Sequence, residues 1–305
     1  MISTMLQYVI DALNLGSLYA LTALGIGLLF GILRVINFAH GDFISVGAYT
    51  LIVPSTNALA VLYVGALPWP LVVVLTALSV IAVAMLSELV VFRPLRSSSP
   101  ATLMIGSFAL SFVIQHLILM VHGSRPKAVN LWPELATQVE LLGLRVQKLH
   151  LVTVGTTAML LGILTVLLRA TRTGVEMRAA AEDYQMARML GIRANAVIGG
   201  ALALSGLLAA TASLLYTAQS GIVSYQMGAP LMMFAFISTV IGGLGNLLGA
   251  VFGAFVVGAI EVALQATLPD QLRPFREAFV FTLVIAILLW RPHGSIEARS
   301  SRERV

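Results

Sequence analysis

Cysteine is absent from the 305-residue chain, and lysine occurs only at Lys127 and Lys148. The first absence excludes disulfides, thiolate metal sites and cysteine nucleophiles. The second bears on nucleotide chemistry. A phosphate-binding loop needs Gly-x-x-x-x-Gly-Lys-Ser/Thr, and neither lysine stands in that context, so ATP hydrolysis by that route is excluded. No His-Glu-x-x-His occurs, and no spacing of serine and histidine sets up a nucleophile with its base. Charge is scarce as well: 10% of residues, against about 25% in soluble domains. A water-soluble core of this size cannot hide the 59% of the chain that is apolar. Alternation of apolar and polar residues, which a membrane strand requires, is missing too. The net charge of +5 does not argue for nucleic acid; it suits a membrane protein with basic cytoplasmic loops.

What is present is a series of long apolar runs. A spanning helix takes about 20 apolar residues, and the apolar total is enough for roughly nine. Punctuation between the runs places spans at 8–33, 43–64, 70–92, 101–121, 150–169, 196–217, 229–243, 246–266 and 277–291. The expectation is an all-α transmembrane bundle of about nine spans (8–10), a single domain over residues 1–305. Two spans are interrupted: the second by Pro54-Ser55-Thr56-Asn57, and the seventh because it runs into Gly242-Gly243-Leu244-Gly245-Asn246. Met1 to Gln7 carries no Lys or Arg, so the first apolar segment is expected to be retained rather than cleaved as a signal peptide.

Basic residues set the orientation. The loop 169–195 holds Arg169, Arg172, Arg178, Arg188 and Arg193, and the tail 292–305 with Arg291 before it is basic too. With both cytoplasmic, twelve basic residues lie inside and six outside, and the N-terminus is outside.

Small residues recur at helical spacing. Ala23, Gly27 and Gly31 form one ladder, and Gly245, Gly249 and Gly253 another, beside Ala250, Ala254 and Gly258. Such ladders let helix backbones approach closely in lipid. They predict a tight bundle and not an activity.

Three polar constellations interrupt the apolar pattern. The island Arg34 to Asp42 contains Asn37, His40, Gly41 and Asp42. It reads either as a cytoplasmic connection with Asn37 and Asp42 as caps, or as a broken helix lining a translocation path. The segment Thr173 to Gly191 reads as a helix of about four turns. Thr173 and Glu176 make a capping box, and Gly191 is a stop after Arg188. Its thin apolar stripe is Val175, Ala179, Met186 and Leu190. It suits either the membrane surface or a groove on another protein. The glycine cluster 242–246 marks a tight or broken connection. Glu88 and Glu261 fall near span ends, where side chains reach water. Gln115 and His116 suggest an interhelical hydrogen-bond pair. No chain of mid-membrane carboxylates is evident, which speaks against ion coupling.

These blocks resemble the permease subunits of bacterial branched-chain amino acid importers, the Liv-type ABC systems. The resemblance is carried by Ile36-Asn37-Phe38-Ala39-His40-Gly41-Asp42 with Gly47-Ala48-Tyr49, by Arg93-Pro94-Leu95-Arg96-Ser97-Ser98, and by Gly174 to Gly191 around Arg178-Ala179-Ala180-Ala181-Glu182-Asp183. Ile241 to Gly245 with Gly249-Ala250 adds to it. It covers essentially the whole chain and is closer to the first of the two Liv-type permeases than to the longer second one. The resemblance implies an inner-membrane permease that is not itself an enzyme. It implies a second permease, two cytoplasmic ATP-binding subunits that carry ATP and Mg, and a periplasmic substrate-binding protein. It makes the segment near 170–195 the ATPase coupling loop, with Arg178, Ala179, Ala180, Glu182, Asp183, Arg188 and Gly191 at the contact. Asn37, His40, Gly41 and Asp42 become candidates for the path. Metal ligands and cofactors are expected in none of this chain. Two alternatives stay open: a permease of the same class for urea, short amides or aromatic acids, and an ion-coupled secondary carrier.

Overall fold

The computed structural model describes residues 2–55, 57–96, 98–141, 144–182 and 184–290. Six helices are long and apolar enough to cross a membrane. They are α1 (Ile2–Leu33), α3 (Trp69–Ser87, continued to Leu95), α4 (Pro100–His122), α5 (Lys148–Ala170), α8 (Ala194–Ser220) and α10 (Leu247–Thr267). Shorter helices complete the set: α2 (His40–Tyr49), α6 (Arg172–Glu182), α7 (Tyr184–Met189), α9 (Gly228–Gly242) and α11 (Arg276–Trp290).

Burial separates centre from perimeter. The apolar stretches of α1 and α8 are 83% and 72% buried, whereas those of α3, α4 and α5 are 28%, 17% and 22% buried. So α1 and α8 form the centre, and α3 to α5 turn broad apolar faces outward. Water does not drive helix association in lipid; close van der Waals packing does. The glycines show where it operates. A Cβ on Gly258 of α10 would lie 2.9 Å from the Cα of Gly16 in α1. One on Gly253 would meet the Ser238 carbonyl carbon of α9 at 3.0 Å, and one on Gly249 the Gly242 carbonyl carbon at 2.9 Å. Gly27 has only ordinary contacts, the nearest 3.6 Å away, and Gly31 has none within 4 Å. Gly245 precedes α10 with φ +86° and serves the turn, as does Gly243 at φ +95°. Asn246 then caps α10 by accepting a hydrogen bond from the Gly249 amide at 3.1 Å. The glycine cluster is therefore a compact inter-helix turn.

The second span is corrected. No single helix fills 43–64. Helix α2 ends at Tyr49, and Pro54 has no amide with which to continue a helix. Beyond it the chain folds back on itself. The Val53 amide donates to Val61, and the amides of Tyr63 and Gly65 donate to Leu51. Residues 34–39 lead from α1 into α2 through a bend at Arg34 and a turn at Phe38–Ala39. Helix α3 carries a π turn at Glu88–Phe92, just before Pro94. Proline removes a helical hydrogen bond and crowds the preceding turn, and a widened turn relieves that crowding.

Between α4 and α5 lie short strands: β1 (Lys127–Ala128), β2 (Gln138–Leu141) and β3 (Leu144–Gln147). The β2–β3 pair is an antiparallel hairpin, and β1 pairs antiparallel with β4 (Ile222–Val223), Lys127 opposite Val223. These strands sit at the end of the bundle opposite α6 and α7.

Candidate functional site

The polar island lies inside the bundle and not on its surface. Asn37, His40 and Asp42 are 3%, 0% and 2% exposed. The chain leaves α1 at Arg34, which takes φ +53°. It is then held against α4: the Phe38 amide donates to Ser107 Oγ at 3.2 Å, and the Phe38 ring stacks on Phe108 with centroids 3.9 Å apart. Asn37 Oδ1 accepts from the Ala39 amide at 3.0 Å and turns the chain into α2. Its Nδ2 has no partner among the described residues.

Helix α2 is a buried rod with a different neighbour on each side. His40 Nδ1 and Ser205 Oγ of α8 are 3.0 Å apart. The same ring lies on Gly25 of α1, where a Cβ would come within 2.7 Å of Nε2. The imidazole thus braces α1 against α8. Asp42 accepts a hydrogen bond from Gln115 Nε2 of α4 at 2.8 Å. Ser45 Oγ accepts from the Gly228 amide of α9 at 3.2 Å. Gly47 meets Ser213 of α8, and Tyr49 packs edge-on to His122 of α4 at 4.6 Å between centroids. Gly41 and Gly228 let the first turns of α2 and α9 touch through their backbones, a Cβ on Gly41 falling 2.7 Å from the Gly228 oxygen. Both α2 and α9 are too short to cross a bilayer core of about 30 Å alone. Their first turns meet within the bundle.

Buried carboxylates were under-read in the sequence. Glu88 and Glu261 do not reach for water. Each is 3% exposed and paired. Glu88 binds Arg96, which also donates to Asn195 Oδ1 at 2.6 Å and so ties the end of α3 to α8. Glu261 binds Arg276 at 2.9 Å and accepts from the Tyr19 hydroxyl, joining α10, α11 and α1. Asp42 has neutral donors only. Gln115 and His116 do not pair with each other: Gln115 turns to Asp42 and Ser111, and His116 Nδ1 to the Phe112 carbonyl.

The segment after α5 is helical over α6 and α7; Asp183 between them lies outside the described residues, as does the side chain of Arg188. The cap is Thr171, whose Oγ1 accepts from the Gly174 amide at 3.1 Å, because the helix starts at Arg172. Thr173 is already inside the first turn, so the Thr173–Glu176 box does not form the cap. The stop at Gly191 is as expected, with φ +84°. The face turned to the bundle is Gly174, Met177, Ala180 and Ala187. A Cβ on Gly200 of α8 would meet Met177 Cε at 3.0 Å, and Arg34 donates to the Ala181 carbonyl at 3.2 Å. That leaves Val175, Met186, Met189 and Leu190 exposed, the last two 81% and 76%. Arg178 and Glu182 are also exposed, and Ala179 is half-buried. The expected stripe of Val175, Met186 and Leu190 therefore faces away from the bundle.

The family model described as branched-chain amino acid transport system / permease component matches residues 8–288. The high-affinity branched-chain amino acid transport system permease protein BraD of Pseudomonas aeruginosa is 30% identical over 305 residues, covering 98% of each chain. The corresponding LivH of Escherichia coli is 30% identical over 310 residues, covering 98% of this chain and 97% of its own. A match to the autoinducer 2 import system permease LsrC of Klebsiella pneumoniae is 38% identical but spans only 32% of this chain.

Proposed function

Since the chain belongs to the permease-component family of branched-chain amino acid transport systems, we propose that it carries branched-chain amino acids across the inner membrane as one half of an ABC importer. The full-length match to BraD and LivH supports this reading. The chain is a multi-pass permease and not an enzyme, and ATP hydrolysis belongs to partner chains. A second permease, two ATP-binding subunits and a periplasmic binding protein complete the assembly. Nine crossings are proposed: the six long helices, the broken crossing 34–49, and the short helices α9 and α11, each completed by its flanking turns. An odd number places the N-terminus outside and the tail in the cytoplasm, on the side of the basic loop 169–195.

Coupling is assigned to α6 and α7. Their inner face packs on α8 and α1, and their outer face offers Val175, Met189 and Leu190 with Arg178 and Glu182. An apolar patch rimmed by charge fits a groove on an ATPase better than it fits water. Partner closure on ATP would move α6 and α7, and through Met177 and Arg34 the movement reaches α8 and α1. Two arrangements of the bundle, opening to opposite sides, are then populated in turn. The broken crossing, with Asn37, His40, Gly41 and Asp42, forms the wall that α8 and α9 shift against.

The test has two parts. The tagged chain, purified gently from its host, should bring down a second permease and ATPase chains. Reversal of charge at Glu182 and Asp183 together should abolish leucine uptake while membrane levels stay normal. Recovery of this chain alone, active with an ion gradient, would return the ion-coupled carrier; normal uptake by the double variant would remove the coupling assignment.

A further inference from the structure

The end of the bundle opposite α6 holds a charge that no carboxylate balances among the described residues. Lys127 of β1 is 2% exposed, yet no carboxylate lies within 4.0 Å of it among the described residues. Its ammonium has three hydrogens. Two acceptors are in reach, both on Ser55: the carbonyl at 2.6 Å and Oγ at 3.3 Å. A buried ammonium without a counter-ion is costly, and proteins seldom keep one without a use.

Its surroundings are donors. Lys127 follows His122, the last residue of α4, by five positions. Among the described residues the His122 Nδ1 is buried without a partner, and so is the hydroxyl of Tyr49, whose ring packs on His122. The elements that meet here are the far end of α2, the end of α4, the loop at Ser55, and β1 with β4. Among the described residues they supply an ammonium, a phenol and an imidazole, and no carboxylate paired with the ammonium. Such a set matches an anion with two oxygens.

We propose that Lys127, Tyr49 and His122 form an occluded carboxylate site, the first station for the cargo's carboxylate after it enters from the periplasmic side. This rests on the amino acid permease reading above. The site sits at the outer tip of α2, so a carboxylate held there abuts the helix that the broken crossing feeds. Lys127 also fastens β1 to the loop after α2 through Ser55, so filling the site couples to the position of that loop.

The experiment uses the assembled permease–ATPase complex in nanodiscs, without nucleotide or binding protein, at millimolar ligand. Ligand-induced thermal shift is read for leucine, for 4-methylvalerate (carboxylate without the amine) and for leucinamide (amine without the carboxylate). Wild type should respond to leucine and 4-methylvalerate and not to leucinamide. Lys127→Gln should raise the apparent Kd for both carboxylates about tenfold or more. Lys127→Arg should restore much of the response, and Tyr49→Phe should weaken it severalfold while leaving the packing intact. An unchanged carboxylate response in Lys127→Gln, an equal response of wild type to leucinamide, or no response at all would overturn the proposal. A wild-type complex that discriminates the carboxylate but imports no leucine would leave the site standing and sink the transport reading instead.

Discussion

Gly228→Ala tests the contact between α2 and α9. A Cβ there would overlap the Gly41 carbonyl oxygen, lie 2.5 Å from the Gly41 carbonyl carbon and 3.1 Å from Ser45 Oγ. Ordinary contact begins near 3.4 Å, so clearing the Gly41 oxygen requires the two backbones to part by well over 1 Å. Overpacking of this kind costs about 1–3 kcal/mol, and here the obstacle is backbone that has no rotamer to yield. The Ser45–Gly228 hydrogen bond at 3.2 Å would lengthen as well, for roughly another 1 kcal/mol. Gly31→Ala is the matched control. It also replaces a helical glycine, but nothing lies within 4 Å of the added methyl. Ala there should gain about 0.5–1 kcal/mol from the smaller entropy of the unfolded chain. The assay is apparent Tm of the detergent-purified complex, where 1 kcal/mol is worth about 2–4 °C in mid-sized domains. The expected result is a fall of about 5 °C or more for Gly228→Ala and a small rise for Gly31→Ala. Equal shifts in the two variants, or an unchanged Tm for Gly228→Ala, would refute the close approach.

Three further outcomes follow from the buried polar pairs. Arg276→Ala strands Glu261 in the apolar body and should cost about 3–5 kcal/mol, whereas the double variant Arg276→Met with Glu261→Gln should recover most of the lost Tm. Arg96→Ala should release both Glu88 and Asn195 and weaken the join of α3 to α8; a cross-link yield between engineered cysteines on those helices, unchanged from wild type, would contradict this. Asp42→Asn keeps an acceptor for Gln115 and should leave stability within about 1 kcal/mol of wild type, while Gln115→Leu strands the Asp42 oxygen and should cost about 1–3 kcal/mol in the same melting assay.

The long helices were legible because each needs only length and apolarity, and both can be counted along the chain. Gly191 and the 242–246 turn were legible for a similar reason: a glycine stop is a local signal. The island at 34–42 was found, but its place was not. Polar residues between apolar runs look alike whether they face water or one another, and only Ser205, Ser107 and Gln115, each far along the chain, decide the matter. The α6 cap slipped by two residues because Thr171 and Thr173 compete for the same role and the packing of Gly174 on Leu167 and Leu168 settles it. Lys127 carried no signal at all. A lone lysine in an outer loop is ordinary, and its burial follows from strand pairing with residues almost a hundred positions later.

The shortness of α2 also constrains the order of assembly during synthesis. Ten residues cannot settle in a bilayer as a lone helix, and residues 34–49 bring buried Asn37, His40 and Asp42 with them. The serine that receives His40 is made 165 residues later. At about 5–20 residues per second, that segment waits roughly 10–30 s for its companions. A nascent chain stopped before residue 194 therefore holds an uncovered polar crossing and should be prey to quality-control proteases. One stopped after residue 242 has every neighbour of α2 in hand.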